Sequence, residues 1–227
     1  MSTELPVQLV FASHNRNKFS EMQSLLGRQP LGVGIFRERT IELLSVAQVQ
    51  VQRGLDAPPE PVEHFDSYFQ NAQLKADEFG EWAGMPALAD DSGLEVFALN
   101  GDPGVHSAYF AGPAGEHAAN NKKLLEVLAD SDDRRALFRC LLCVRLEKGR
   151  YMVAEGTVEG VITREPRGLT GWGYEPIFEI SELGKTIAEL RDEGAPIPNH
   201  RARAVAQLRG ALTSPFLNGR IGEWTPG

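Results

Sequence analysis

Cysteine is almost absent from this 227-residue chain: Cys140 and Cys143 are its only two. Both sit inside one apolar run, Leu137 to Val144, so two buried thiols are expected, and neither a disulfide nor a thiolate metal site is. No apolar stretch approaches the roughly 20 residues a membrane-spanning helix requires. The start, Met1 to Pro6, has no basic segment followed by an apolar core, so no secretory leader is expected. A cytoplasmic protein without a membrane partner is the expectation. Positive charge is scarce, with 23 Lys and Arg against 31 Asp and Glu, a net charge of -8. That balance argues against a nucleic acid partner. Internal repeats, low-complexity tracts and the glycine-rich nucleotide fingerprints are all missing. What remains is an ordinary globular composition, 42% hydrophobic and 24% charged, long enough for one large domain or two small ones.

The most informative stretch is Leu88-Ala89-Asp90-Asp91-Ser92-Gly93-Leu94-Glu95-Val96. An apolar run leads into two adjacent carboxylates, then a hydroxyl, a glycine and a second apolar run. This reads as a buried strand, a turn and another strand. Two carboxylates at a strand end are costly to desolvate unless positive charge meets them. Mg²⁺ suits that position, since it takes one or two carboxylates together with substrate phosphates. Successive strand residues face opposite ways, so both aspartates reach one site only if the chain bends, which Gly93 would permit. An acidic turn without a metal is the alternative.

Taken in order, Val7 to Ala12 reads as a strand, Ser13 to Lys18 as a polar loop, and Phe19 to Leu26 as a helix stopped at Gly27. Such a loop commonly holds anions, and Asn15 and Lys18 suit a phosphate; a helix cap with a solvated lysine is the alternative. Val33 to Phe36 is a candidate strand. Glu38 to Arg53 fits neither period cleanly, and Ala57 to Pro61 is a proline-rich loop. Ser67 to Trp82 reads as a helix with a Ser67/Gln70 capping box. Asn71 and Lys75 share one of its faces, turned either into a site or into water. Asn100 to Gly112 is a loop of tight turns. Glu116 to Ala129 reads as a helix, and Ala136 to Leu146 with Tyr151 to Ile162 as a long hairpin. In Gly168 to Phe178, three glycines bracket Trp172 and Tyr174, either to set a ring against a base or to pack on the sheet. Asn199 opens a last helix, running to about Leu212, whose first turn carries His200 and Arg201. Cations there oppose the helix dipole, which points to an acid or anion nearby. Ser214 to Gly227 reads as a tail.

Seven of these stretches, in this order, resemble the Ham1/inosine triphosphate pyrophosphatase family. They are Ala12 to Lys18, Asn71 to Ala76, Leu88 to Leu94, Gly104 to Gly112, Gly171 to Phe178, Gly184 to Leu190 and His200 to Ala204. The resemblance covers about Val7 to Leu212. It implies an α/β fold, a long bent mixed sheet flanked by helices in two lobes with a central cleft, formed by residues 1–213. It implies a homodimer that hydrolyses NTP to NMP and pyrophosphate with Mg²⁺ and favours the purines ITP, dITP and XTP. By position, Ser13, His14, Asn15, Arg16, Asn17 and Lys18 would cradle the triphosphate. Asp91 would hold the metal and help activate water, with Asp90 beside it. Ser92 and Lys75 would contact phosphate. Trp172, Gly173, Tyr174 and Glu175 would line the base pocket, with Trp172 stacked on the purine. His200 and Arg201 would read the oxygen-bearing edge of the base. Strict spacing puts the second metal carboxylate on Val62, with Glu63 and Glu60 close by as the candidates.

This chain departs from the pattern mainly at the base end. Glu175 stands for an aspartate, Trp172 for a phenylalanine, Asn199 for a serine, Ala195 for a lysine and Tyr109 for an arginine. Three readings therefore compete: a pyrophosphatase clearing non-standard purine nucleotides, the same chemistry retuned to another purine nucleotide or pathway intermediate, and a non-catalytic nucleotide-binding module.

Overall fold

The computed structural model describes residues 6–27, 40–113 and 115–213. The candidate strand at Val33 to Phe36 and the tail from Ser214 lie outside the described residues. Strand β1 (Val7–Phe11) pairs in parallel with β2 (Ile41–Leu44) on one side and β3 (Ala87–Val96) on the other. Parallel strands are covered on both faces, and β1 accordingly ends in the buried run Leu9-Val10-Phe11. Helix α1 (Arg16–Leu26) follows β1, and α2 (Val46–Arg53) and α3 (Tyr68–Ala83) pack on it. Of the ambiguous segment 38–53, the described residues 40–53 resolve into β2 and α2 because Ser45 caps the helix, with a reciprocal box to Gln48. At Ser67 only half of the expected box forms: its hydroxyl accepts from the Gln70 N–H at 3.5 Å.

The chain continues through β4 (Pro103–Gly104), α4 (His117–Val127) and the hairpin β5 (Arg135–Glu147) with β6 (Arg150–Ile162). It ends in β7 (Phe178–Ile180), β8 (Lys185–Thr186), α5 (Ile187–Asp192) and α6 (His200–Thr213). The result is an eight-stranded mixed sheet of order β2-β1-β3-β5-β6-β7-β8, with β4 paired to β3. Helix α5 went unread in the sequence, although Thr186 and Glu189 form a full capping box at its start.

By contact density the described chain forms two compact units. The first takes the residues up to Asp91, then 141–156, and those from Arg201 onward; the second takes Ser92–Cys140 and Thr157–His200. Each has its own core. In the first, Val10, Ala72, Ala76, Phe79, Ala89 and Cys143 interlock. In the second, Leu94, Leu124, Val158, Ile177, Phe178 and Leu190 do. Both cysteines are free thiols, and burial pushes that of Cys143 up to about 12. Among the described residues, no helix is long and apolar enough to cross a membrane.

Gly160 tests the packing of β6. A Cβ there would meet the Glu179 carbonyl oxygen at 2.3 Å and the Phe178 ring at 2.7 Å. Gly160→Ala is expected to destabilise the protein by about 1–3 kcal/mol through this overpacking, read as a lowered urea midpoint.

Candidate active site

The site is built on β3, and the turn expected after Asp91 does not exist. Residues 87–96 form one unbroken strand. A turn is unnecessary because each carboxylate meets its own cation where it stands. On a regular strand Asp90 and Asp91 point to opposite faces. Asp90 accepts from Lys18 Nζ at 2.8 Å on Oδ1 and from Arg201 Nε at 2.7 Å on Oδ2. Asp91 accepts from Lys75 Nζ at 2.9 Å on Oδ1.

Lys18 reaches Asp90 because α1 starts earlier than its apolar spacing suggests. Asn15 Oδ1 accepts from the N–H groups of Asn17 and Lys18 at 3.0 and 3.1 Å, which starts the helix at Arg16. Lys18 therefore occupies the first helical turn, and its side chain is ion-paired and only 20% exposed rather than solvated. Ser13, partly buried, accepts from the Asn15 N–H, while His14, Arg16 and Asn17 are exposed. A cavity of about 460 Å³ opens along Ser13 to Arg16. His14 lies edge-on to Phe79 and pairs through Nε2 with the Pro59 carbonyl.

Lys75 is buried, as is Asn71 on the same face of α3. Its ammonium bonds Asp91 Oδ1, the Asp90 carbonyl at 2.9 Å and Glu63 Oε2 at 2.8 Å. Asn71 secures the segment that delivers Glu63: its side chain donates to the Phe65 carbonyl at 2.9 Å and accepts from the Phe65 N–H at 3.1 Å. Both residues of the pair thus face protein, not water.

The electrostatics separate the two aspartates. Full burial would raise the Asp90 carboxyl, but Arg201 and then Lys18 hold it well below the usual carboxylate range. Burial pushes Asp91 up to about 7; Lys75 opposes this, and the neighbouring Glu63 carboxyl adds to the rise. Glu63, with a side chain 42% exposed, is lowered despite partial burial because Lys75 favours its charge. Lys75 is raised: burial opposes its charge, but Asp91 and Glu63 more than compensate. Two carboxylates thus share one ammonium, and burial makes Asp91 the harder of the two to ionise. Asp91 Oδ2 is buried without a hydrogen-bond partner. Among the described residues, no group of three or more His, Cys, Asp or Glu could hold a metal. Two adjacent carboxylates with one orphaned oxygen nevertheless fit Mg²⁺, whose remaining ligands are waters and phosphates.

Arg201 departs from expectation. The resemblance assigns it to the base, but its side chain is 3% exposed and its guanidinium holds Asp90 and, at 3.2 Å, Glu21. The acid expected near this first helical turn is Asp90, joined by Glu21. The neighbouring His200, in the second unit, stacks on Phe138 with ring centroids 5.2 Å apart. Also in the second unit, Trp172 stays 41% exposed while Tyr174 and Glu175 are buried. Tyr174 donates its hydroxyl to the Ser107 carbonyl at 2.8 Å, and Asn121 donates to the Gly173 carbonyl at 3.0 Å. Glu175 pairs with Arg191 at 2.7 Å. Ser92 is partly buried on β3. Tyr109 is exposed, and Ala195 packs on the second core. Sequence reasoning missed Glu21, Asn121 and Arg191; only the T-x-x-E signal at 186–189 hinted at the helix that carries Arg191.

Comparison with known proteins places the chain in a family. The family described as the Ham1 family matches residues 9–211. A dITP/XTP pyrophosphatase of Exiguobacterium sp. is 39% identical, over 94% of this chain and 100% of that protein. The structure of a HAM1 protein from Coxiella burnetii superposes with a TM-score of 0.76 at 36% identity, covering 91% of this chain and 98% of that one. The Ham1 protein of Staphylococcus aureus superposes at 0.73 with 32% identity, covering 90% and 97%.

The two aspartates give stability opposite pH dependences. Asp91 keeps its proton to about pH 7 when folded, against 3.8 for the ordinary group. The folded state therefore binds more protons between these values, and metal-free stability falls as pH rises through that window, by at most about 1.4 kcal/mol per pH unit. Asp90 acts the other way: its contribution is complete above pH 3.8 and is lost as pH falls further. Urea unfolding from pH 3 to 8 should show both limbs, and Asp91→Asn should flatten the upper one.

Proposed function

The chain belongs to the Ham1 family, and from that premise we propose that it hydrolyses purine nucleoside triphosphates to the monophosphate and pyrophosphate. The enzyme is a hydrolase of acid anhydrides whose preferred bases are those of ITP, dITP and XTP, in keeping with the dITP/XTP pyrophosphatase named among its relatives. The observation that carries the reading is the buried, orphaned Asp91 Oδ2, set beside Glu63 and Lys75 and one residue from the Lys18–Asp90 pair. Structural ion pairs as a rule satisfy their buried oxygens. Nor would a module that only binds nucleotide call for a carboxyl poised near neutrality.

Asp91 and Glu63 would hold Mg²⁺, which when bound supplies charge for the phosphate oxygens and acidifies the attacking water. The other parts are the chain's own. Lys18 presents its ammonium to the triphosphate, fixed by Asp90 so that little ordering remains at the moment of reaction, while Lys75, its three N–H groups taken by Asp91, Glu63 and the Asp90 carbonyl, holds the two carboxylates in place. Ser92 and the Ser13 to Asn17 segment add hydroxyl, amide and backbone donors. Asp91 accepts the proton of the water whose oxygen bonds to phosphorus, and pyrophosphate departs as the phosphoanhydride bond breaks. Asp90 has no exposed side-chain surface. Its part is to hold Lys18 and Arg201 in place rather than to ligate metal.

At the base end, Trp172 offers its half-exposed ring for stacking, worth roughly 1–3 kcal/mol per base. Residues 1–213 act as one catalytic domain in this reading. A homodimer rests on the family resemblance alone, and a cytoplasmic setting on an acidic chain whose two thiols are buried.

With Mg²⁺ and a panel of NTPs, pyrophosphate should be released fastest from ITP and XTP. EDTA should stop the reaction and Mg²⁺ restore it. Asp91→Asn should lower kcat by about a hundredfold or more, as expected for loss of a general base. Release of orthophosphate instead of pyrophosphate, or turnover by Asp91→Asn at the native rate, would refute the mechanism. A ranking that puts ATP or GTP first would favour the retuned enzyme.

A further inference from the structure

The loop bearing Trp172 is anchored at both ends by two adjacent residues of α5. At its start, Asp192 accepts from the Leu169 and Thr170 N–H groups at 2.6 and 3.0 Å. At its end, Glu175 accepts from the Trp172 N–H at 3.1 Å and is gripped by Arg191, Nη2 to Oε1 at 2.7 Å and Nε to Oε2 at 3.2 Å. Two glycines let the loop lie flat on the helix. A Cβ on Gly168 would fall 2.7 Å from Ala188 Cβ, and one on Gly171, at φ +126°, would fall 3.0 Å from Glu175 Oε2. Helix α5 is itself fixed by its capping box and by buried Ile187, Ala188 and Leu190. Trp172 is thereby held 41% exposed, its ring centroid 6.3 Å from that of His117.

We infer that Arg191 is a positioning residue for base recognition, acting through Glu175 on Trp172; the inference rests on the reading of Trp172 as the base-stacking ring. Both oxygens of Glu175 are engaged by Arg191 or the Trp172 N–H. Glu175 therefore serves the base indirectly, by fixing the ring, and does not itself read hydrogen-bond donors. Two of the departures from the family pattern, Glu175 and Ala195, belong together in this reading. The lysine position is Ala195, packed into the core, and the nearby cation is supplied one turn earlier by Arg191. The extra methylene of Glu175 lets its carboxylate meet that guanidinium. Arginine is suited to the task because its planar fork holds both carboxylate oxygens at once.

The test compares steady-state ITP hydrolysis by wild type, Arg191→Met, Arg191→Lys, Glu175→Asp, Trp172→Ala and the Arg191→Met/Trp172→Ala double variant. Arg191→Met should raise KM about tenfold, a fraction of the stacking contribution, with kcat changed less than about threefold. Glu175→Asp should do the same, because its shorter arm no longer reaches the guanidinium. Arg191→Lys should recover part of the loss. In the Trp172→Ala background, Arg191→Met should add nothing further. An unchanged KM in Arg191→Met and Glu175→Asp would overturn the inference, as would a full-sized Arg191→Met effect persisting without Trp172. If Trp172→Ala leaves KM unchanged, the base-stacking reading fails instead, and the inference falls with it. Should Arg191→Met not fold, Arg191→Lys and Glu175→Asp carry the same comparison.

Discussion

Asp90, with no exposed side-chain surface, is the charge that organises the first unit. A lone buried carboxylate is so unfavourable that it would take up a proton or unfold its surroundings. Two cations avert this: Lys18 comes from the first turn of α1 and Arg201 from the first turn of α6. Removing either partner would leave charge stranded in the interior. The docking of two helices to β3 is therefore coupled to one side chain, and Lys18 reaches its position as a consequence. Asp90 thereby fixes the position of both cations before any ligand arrives.

Asp91, one residue on, is deliberately unresolved by comparison. It shares Lys75 with Glu63 and keeps one oxygen without a partner. That arrangement destabilises the metal-free protein and leaves one carboxyl titrating near neutrality. Such strain is characteristic of functional sites, where stability and activity pull against each other. The second unit follows a different strategy. It holds an aromatic ring partly in water by tying the loop backbone to a capped helix.

Much of this was legible in the chain. The strands β1, β5 and β6 and the helices α3 and α4 follow from apolar spacing and caps, because local propensity and burial agree there. The loop from Gly168 to Phe178 was open between stacking and packing: Ile177 and Phe178 pack into the core, while Trp172 stays exposed. One local reading, and one carried over from the family resemblance, ran against contacts made by distant residues. The turn at Ser92-Gly93 was inferred from two adjacent charges, but cations from residues 18, 75 and 201 remove the need for one. Arg201 was taken as a base reader, but its partner Asp90 lies 111 residues away in sequence. No spacing rule carries information over that distance.

The amino-acid sequence alone determined an alternation of strands and helices, an acidic strand, a cationic loop between the first strand and its helix, and the ordered motifs of one nucleotide pyrophosphatase family. These are properties of periodicity, capping and residue type, which act over a few positions. Tertiary structure decided which charge answers which: Lys18 and Arg201 on Asp90, Lys75 between Asp91 and Glu63, Arg191 on Glu175. Ion pairing and desolvation act through space, so the partners of a buried charge are set only once distant segments have been brought together.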